Sequence, residues 1–507
     1  MSRPAPLVII GLDAGDPAFI ERWVREGRLP AIASVMERGS HARTGGPELV
    51  SEHGVWVSLF SGISRGRHGY FYFRQLRPGS YQLEARTGLD VNAPPFWTRL
   101  ADTGSRVALI DIPDSVPDAG LAGLQLANWA THNNWDPHHF PTASEPPGLL
   151  AEVEARHGKK RITVENHHAT VEEDRRIRSQ LLEQTRCKGE LCLDLLLREP
   201  FDAIVTVFAA THAANHQFWK YRPEIGERRD EELGHAIRDV YEAVDAEIGR
   251  LLARLPSDAN VFVVSSVGME DDFPTTGLTE SFCRLLGYQA DPTPGGFSWR
   301  PLDLARRLVP EPVRLALSRR LSREAREGLL ADQFRSGTDW SRTRAFCLPA
   351  SYTSFLRVNL RGREPAGTVA PGAEYEHVLC DLESDFAALR DSATGEPVVS
   401  RMLRARNLFG ANPHPALPDL FVEWIPGRFL ERVRHPRCEL TQGQPDFYRR
   451  SDHSSAGFVA AAGPGIRRGA ALGEVDVLDL APTFLALLRK APGPEMGGRV
   501  LQALLRE

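Results

Sequence analysis

The stretch VFAATHAANHQFWKY, residues 207–221, carries two histidines four apart, His212 and His216, where an apolar, β-branched run becomes polar. A chain that turns helical by His212 puts both imidazoles on one face, about one turn apart, where they can share a metal ion. Taken alone, the plainer reading is a strand end followed by a helix with incidental imidazoles. Other polar residues stand beside apolar runs in the same way. Asp13 follows LVIIGL, Ser266, Val267 and Gly268 follow NVFVVS, and His453 in RRSDHSSAGFVAAAG precedes a run. Asp and His side chains delivered from separate strand ends are the usual makings of a site for a divalent transition metal.

Such residues need a scaffold that brings strand ends together. LVIIGLD, RVALIDIP, FDAIVTVF and NVFVVSS each read as a strand buried on both faces. The segments between them supply crossover helices, most clearly RRDEELGHAIRDVYEAVDAEIGRLLARL at 228–255. This alternation predicts an α/β fold with a mainly parallel central sheet sandwiched by helices. Ligands gather at the C-terminal ends of the strands in such sheets. Residues 280–345, rich in Arg, Leu and Pro, read as an inserted helical or irregular cap. No flexible linker sets it apart, so 1–507 is expected to form a single domain with this insertion. Strand-like runs return in SFLRVNL, DLFVEW and GFVAAAG, and the chain closes on a helical VLDLAPTFLALL.

The totals narrow the function classes. Apolar residues make up 42% and charged residues 25% of the 507, ordinary for a soluble globular protein. A net charge of -5, with basic and acidic residues interspersed, gives no reason to expect a nucleic-acid partner. The basic stretch from Arg314 to Arg326 mixes with acids and leucines and reads as a solvated helix face. The six cysteines are scattered without metal or redox spacing and are expected to be reduced and mostly buried. The N-terminal apolar run is too short for a signal-peptide core, and no uncharged stretch approaches the roughly 20 residues that span a bilayer. A cytoplasmic location, with no membrane partner, is the expectation.

The order and spacing of the motifs resemble the alkaline phosphatase superfamily, specifically its type I phosphodiesterase and nucleotide pyrophosphatase branch. The carriers are VIIGLDAGDP, WVSLFSGISRGRHGYFYF, FWTRLADTGSRVALIDIPDSVP and FAATHAANHQFWKY, then DWSRTRAF with VNLRGREPAGTV, and DHSSAGFVAAAGPGIRRG with VLDLAPTFLALL. The resemblance implies two zinc ions flanking a Thr or Ser nucleophile, the pair stabilising charge on a transferring phosphoryl group. One ion is held by an Asp and two His; the other by the N-terminal Asp, the nucleophile and an Asp-His pair.

Carried over residue by residue, this pattern is only partly kept. Asp13 matches the N-terminal Asp, but the Asp-His pair falls on Ser266 and Val267, so one site has lost most of its donors. Anchoring on Trp56 and Gly62 puts Glu52 in the nucleophile slot and Gly54 where the family has Pro; Ser51 serves only if the register slips by one. A carboxylate suits a liganding or general-base role better than that of a covalent acceptor. His212 stands where the family has Asp, while His216 and His453 match the two family histidines. The resemblance thus implies one divalent transition metal on three imidazoles, zinc first and iron, manganese or copper as alternatives, with Glu52 as an optional ligand. Replacing Asp by His removes a negative charge and makes the metal a stronger Lewis acid.

Other residues carry plainer expectations. His68 is expected to hold a turn and Asp16 to cap the following helix. His53 reaches a metal only if the 51–54 loop is remodelled. His132, His138, His139, His167 and His168 lie where the family covers its pocket, and either meet an anionic substrate or are simply exposed. The leading function is a metal-dependent hydrolase of a small, anionic phosphate, phosphonate or sulfate ester. The alternatives are a mononuclear metalloenzyme recruited to non-hydrolytic chemistry and a non-catalytic binding protein on the same fold.

Overall fold

The computed structural model describes residues 4–51, 53–131, 140–159, 166, 168–225, 229–292, 321–443 and 449–506. By its contacts the chain divides into two compact units, one of Met1–Tyr72, Thr87–Phe273 and Phe447–Glu507, the other of Phe73–Arg86 and Pro274–Asp446.

The first unit is built on a nine-stranded sheet. Its centre is five parallel strands in the order Asn260–Ser265, Leu7–Leu12, Ala203–Phe208, Arg106–Ile110, Ala122–Ala127. Gly457–Ala462 adds antiparallel to Asn260–Ser265, and Ser40–Gly45 and Val475–Asp476 follow it; Ala143–Glu145 closes the other edge. The four runs read as strands in the sequence all lie in the parallel centre, because each is apolar on both faces. Alternate residues feed opposite cores: Val8, Ile10 and Leu12 enter one, Leu7 and Ile9 the other. Helices Pro17–Arg25, Pro30–Arg38, Val171–Leu196, Ala210–Phe218 and Ala236–Leu252 pack into the first core, and Val55–Ser61 and Leu480–Leu487 into the second. The expected sandwich of helices about a mainly parallel sheet is the observed one.

Register decides where chemistry can occur. Leu12 lies level with Phe208 on one side and Ser265 on the other. The three central strands therefore end together and release Asp13, the Ala210–Phe218 helix and Ser266 at one edge.

The second unit holds an antiparallel sheet in the order Ala345–Leu348, Ser354–Val358, Leu420–Trp424, Val399–Arg404. SFLRVNL and DLFVEW are strands as expected, but they belong to this sheet, whereas GFVAAAG joins the large one. The unit encloses the whole of 280–345 and continues well past it. Helix Arg323–Ser336 forms within that segment and helix Thr276–Leu285 runs into its start; residues 293–320 lie outside the described residues. Four cysteines are buried, Cys380 is exposed, Cys438 is half-buried, and all are free thiols. Among the described residues no helix is long and apolar enough to cross a membrane.

Candidate metal centre

The turn after the first strand is locked by its neighbours. Ala14 sits in the left-handed region at φ 49°, a conformation that costs a non-glycine residue about 1–2 kcal/mol. Four hydrogen bonds hold it there. Asp13 N donates to Phe208 O at 3.0 Å and Thr211 Oγ1 to Asp13 O at 2.6 Å; Ala14 N donates to Ser266 Oγ at 3.2 Å and Asn215 Nδ2 to Ala14 O at 2.8 Å. Thr211 and Asn215 belong to the helix Ala210–Phe218, so the same bonds seat that helix against the strand end.

His212 and His216 ride on this helix one turn apart, as the spacing of four requires. His453 comes from the strand Ser451–Ser454, which pairs antiparallel with Gly268–Asp271 and sets Met269 opposite His453. Asp16 anchors that pair: its Oδ1 accepts from Phe19 N at 2.9 Å, capping Pro17–Arg25, and its Oδ2 accepts from Met269 N at 2.9 Å. Burial pushes the Asp16 carboxyl above its ordinary range, against the pull of those N–H groups. Its role is the expected cap.

The three imidazoles meet. Their ring centroids lie 4.8, 4.9 and 5.0 Å apart, and one ring nitrogen from each falls within 4.8 Å of the others. His216 Nε2 and His453 Nε2 are 3.3 Å apart. Zinc–nitrogen bonds of about 2.0–2.1 Å put tetrahedral ligands about 3.3 Å from one another, so this spacing suits a shared ion. An oxygen faces Nδ1 of every ring: Asp13 Oδ2 at 3.1 Å from His212, Ser451 Oγ at 3.1 Å from His216, and Asp452 Oδ1 at 3.1 Å from His453. Carboxylates only accept, so His212 and His453 carry their protons on Nδ1 and present Nε2 as a lone pair. Ser451 both donates and accepts, so His216 can take either tautomer. Arg449 Nη2 in turn holds Asp452 Oδ1 at 3.1 Å. Imidazoles with an oxygen behind the distal nitrogen are the form in which histidine ligates metals.

Among the described residues, the second family site lacks the donors that would hold a metal. Ser266 Oγ stands 3.5 Å from Asp13 Oδ1, and the adjacent Val267 is buried and has no donor. Trp56 Nε1 donates to Asp13 Oδ1 at 2.8 Å. Gly11 permits that approach, because a Cβ there would lie 2.9 Å from Trp56 Cη2 and 2.8 Å from Val207 Cγ2. Asp13, 3% exposed, thus has one oxygen on an indole and the other on an imidazole.

The loop in the nucleophile region is braced from below. Arg65, fully buried, donates to the carbonyls of Val50, Glu48 and His53, the last two at 2.6 and 2.7 Å. Ser51 has φ 59°, and Gly54 has φ 84° at the start of Val55–Ser61, where a Cβ would lie 2.8 Å from Tyr70 O. Ser51 makes no hydrogen bond to the cluster among the described residues; Glu52 lies outside them. The His53 ring packs edge-on against Tyr72 at 4.8 Å. His68 is in the short helix Arg65–His68. Its Nδ1 accepts from Tyr70 N at 3.1 Å, so its Nε2–H donates to Ser58 Oγ at 3.0 Å, which donates to Glu48 Oε2 at 2.8 Å. The Ser-His-Glu grouping is therefore a structural relay. The carboxylate binds the serine rather than the imidazole, the reverse of a nucleophile triad. His168 is exposed; His132, His138, His139 and His167 lie outside the described residues.

Sequence reasoning did not single out Trp56 as a partner of Asp13, nor Ser451, Asp452 and Arg449. The run RRSDHSS offered one signal, two oxygen-bearing side chains immediately before His453. Nothing local could have paired Trp56 with Asp13, 43 positions away.

The type I phosphodiesterase / nucleotide pyrophosphatase family matches residues 7–279. Comparison with the curated proteins finds no match. Among solved structures, phosphonoacetate hydrolase from Sinorhizobium meliloti 1021 in complex with phosphonoformate is 12% identical, with a TM-score of 0.52 over 96% of each chain. Its complex with phosphonoacetate is 13% identical, with a TM-score of 0.51 over 96% of each chain. Murine ectonucleotide pyrophosphatase / phosphodiesterase 5 is 11% identical, with a TM-score of 0.47 over 99% of this chain and 100% of that one. At these identities the hydrolase structures speak to the fold, which is alkaline phosphatase-like. The family match spans more than half of the 507 residues, and the chain belongs to the type I phosphodiesterase / nucleotide pyrophosphatase family of the alkaline phosphatase superfamily.

Proposed function

We propose that the protein is a hydrolase that uses one divalent metal, zinc first among the candidates, on His212, His216 and His453 to cleave a small anionic ester of phosphate, phosphonate or sulfate. The observation that carries this reading is the convergence of one nitrogen from each of three imidazoles, every ring with an oxygen facing its Nδ1. When bound, the metal supplies Lewis acidity toward an anionic oxygen. The residues supply the rest. Asp13, Ser451 and Asp452 hold the rings, and Arg449 steadies Asp452. Three neutral ligands leave the ion's charge undiminished, which favours an anionic substrate. The hydrolase of similar fold binds phosphonoacetate and phosphonoformate, which agrees with a compact anion. Glu52, with Ser51 as the weaker second choice, is the candidate general base on its position in the sequence. We place the protein in the cytoplasm.

The test is turnover. Protein loaded with zinc, iron, manganese or copper is assayed against a panel of chromogenic phosphate, phosphonate and sulfate mono- and diesters. The expected result is hydrolysis of at least one ester class that His216→Ala abolishes and Glu52→Gln lowers. Silence of every loaded form across the panel would remove the hydrolase and favour recruited chemistry or binding.

A further inference from the structure

We infer that Asp13 is a positioning residue for His212, holding the imidazole in its metal-binding tautomer, instead of the metal ligand that its place in the family implies. The inference rests on the three-histidine reading. Three contacts on one carboxylate carry it. Trp56 Nε1 takes Oδ1 at 2.8 Å, Ser266 Oγ lies 3.5 Å from the same atom, and His212 Nδ1 takes Oδ2 at 3.1 Å. An indole N–H only donates, so it fixes Oδ1 as an acceptor and aims Oδ2 at the imidazole. Residues 266 and 267, where the partner ligands of a second ion would stand, offer a hydroxyl and a valine. His212 meets the carboxylate oxygen of Asp13 that the indole leaves free to face it.

The chemistry predicts a specific failure in Asp13→Asn. Trp56 still requires an acceptor, so the amide oxygen faces the indole and the amide nitrogen faces His212. An N–H2 group there forces Nδ1 to accept and moves the ring proton to Nε2, the atom that must ligate. Loss of an outer-shell partner costs roughly 10–100-fold in metal affinity, and this variant sits at the upper end of that range.

The experiment titrates cobalt(II) into wild-type and Asp13→Asn protein and counts hyperfine-shifted, exchangeable imidazole N–H signals in the proton spectrum. Wild type is expected to bind one cobalt per chain and show three such signals, one for each ring bound through Nε2. Asp13→Asn is expected to bind one cobalt about 100-fold more weakly and to lose one signal. Two cobalt ions in wild type and one in the variant would make Asp13 a ligand and overturn the inference. Unchanged affinity with all three signals would also overturn it. If wild type binds no cobalt, the three-histidine reading fails, and nitrogen-15 spectra of the metal-free protein decide Asp13 separately. A proton on His212 Nδ1 in wild type upholds the positioning role, and a proton on Nε2 refutes it.

Discussion

Each imidazole of the cluster leans on a different oxygen, and removing those oxygens should cost different amounts. Asp452→Asn breaks a carboxylate that is itself tied to Arg449, and is expected to weaken metal binding roughly 10–100-fold. Ser451→Ala removes only a neutral hydroxyl from His216, so its loss should fall at the low end of that range or below it. His216→Ala should exceed both, because it deletes a ligand. Competition against a fluorescent chelator ranks the three; a Ser451→Ala loss as large as that of Asp452→Asn would contradict the assignment of roles. That the three histidines and Asp13 come together was legible in the sequence, because family order and strand-end position single them out. Their partners were not, although Ser451 and Asp452 stand beside His453 in the run RRSDHSS. Asp13 and His212 are 199 positions apart, and His216 and Ser451 are 235 apart, so only the folded register pairs them.

Helix Ala210–Phe218 delivers two of the three imidazoles, and its far end is pinned by a buried acid on a neighbouring helix. Asp174 of Val171–Leu196 accepts from Gln217 Nε2 at 2.5 Å and Tyr221 Oη at 2.7 Å, and pairs with Lys220 Nζ at 2.8 Å. Asp174→Ala leaves a buried ammonium unmatched and should cost about 3–5 kcal/mol in urea unfolding. It should weaken metal binding as well, because the turn carrying His216 loses its anchor. Helix Pro30–Arg38 depends on Asp245, whose two oxygens accept from Ala31 N at 2.9 Å and Ile32 N at 2.8 Å. Burial pushes the Asp245 carboxyl up to about 6, against 3.8 when unfolded. Between those values the native state binds more protons than the unfolded state, so this group's contribution falls as pH rises through the window. Wild type should therefore lose on the order of 2–3 kcal/mol relative to Asp245→Asn between pH 4 and pH 7. Urea midpoints of both proteins across that range check the sign; a difference that grows with pH in favour of wild type would refute it. The parallel strands were legible because burial on both faces leaves unbroken apolar runs. AGLQLA at 122–127 was not, since Gly123 and Gln125 interrupt its pattern, although Gln125 is buried in bonds to Asp118. SFLRVNL and DLFVEW read correctly as strands, but strand character carries no information about which sheet a strand joins.

The site lies wholly within the first compact unit, so metal binding should report on the stability of that unit. At a free-metal concentration of about 100 times Kd, binding to the native state alone adds about 2.7 kcal/mol. Calorimetry should show an upward shift of the unfolding transition that carries the histidines, abolished in His216→Ala; a shift of equal size in that variant would place the ion elsewhere. Family membership made the architecture of this unit legible from a few motifs, and the departures at 212, 266 and 267 pointed to a rebuilt site. The packing of Trp56 onto Asp13, which occupies an oxygen that a second ion would need, emerged only from the folded structure. A single metal on three histidines is tested most directly by the metal content of the purified protein after saturation with zinc and removal of excess. One zinc per chain in wild type, and none in His216→Ala, is the predicted result; two per chain, or none in wild type, would contradict it.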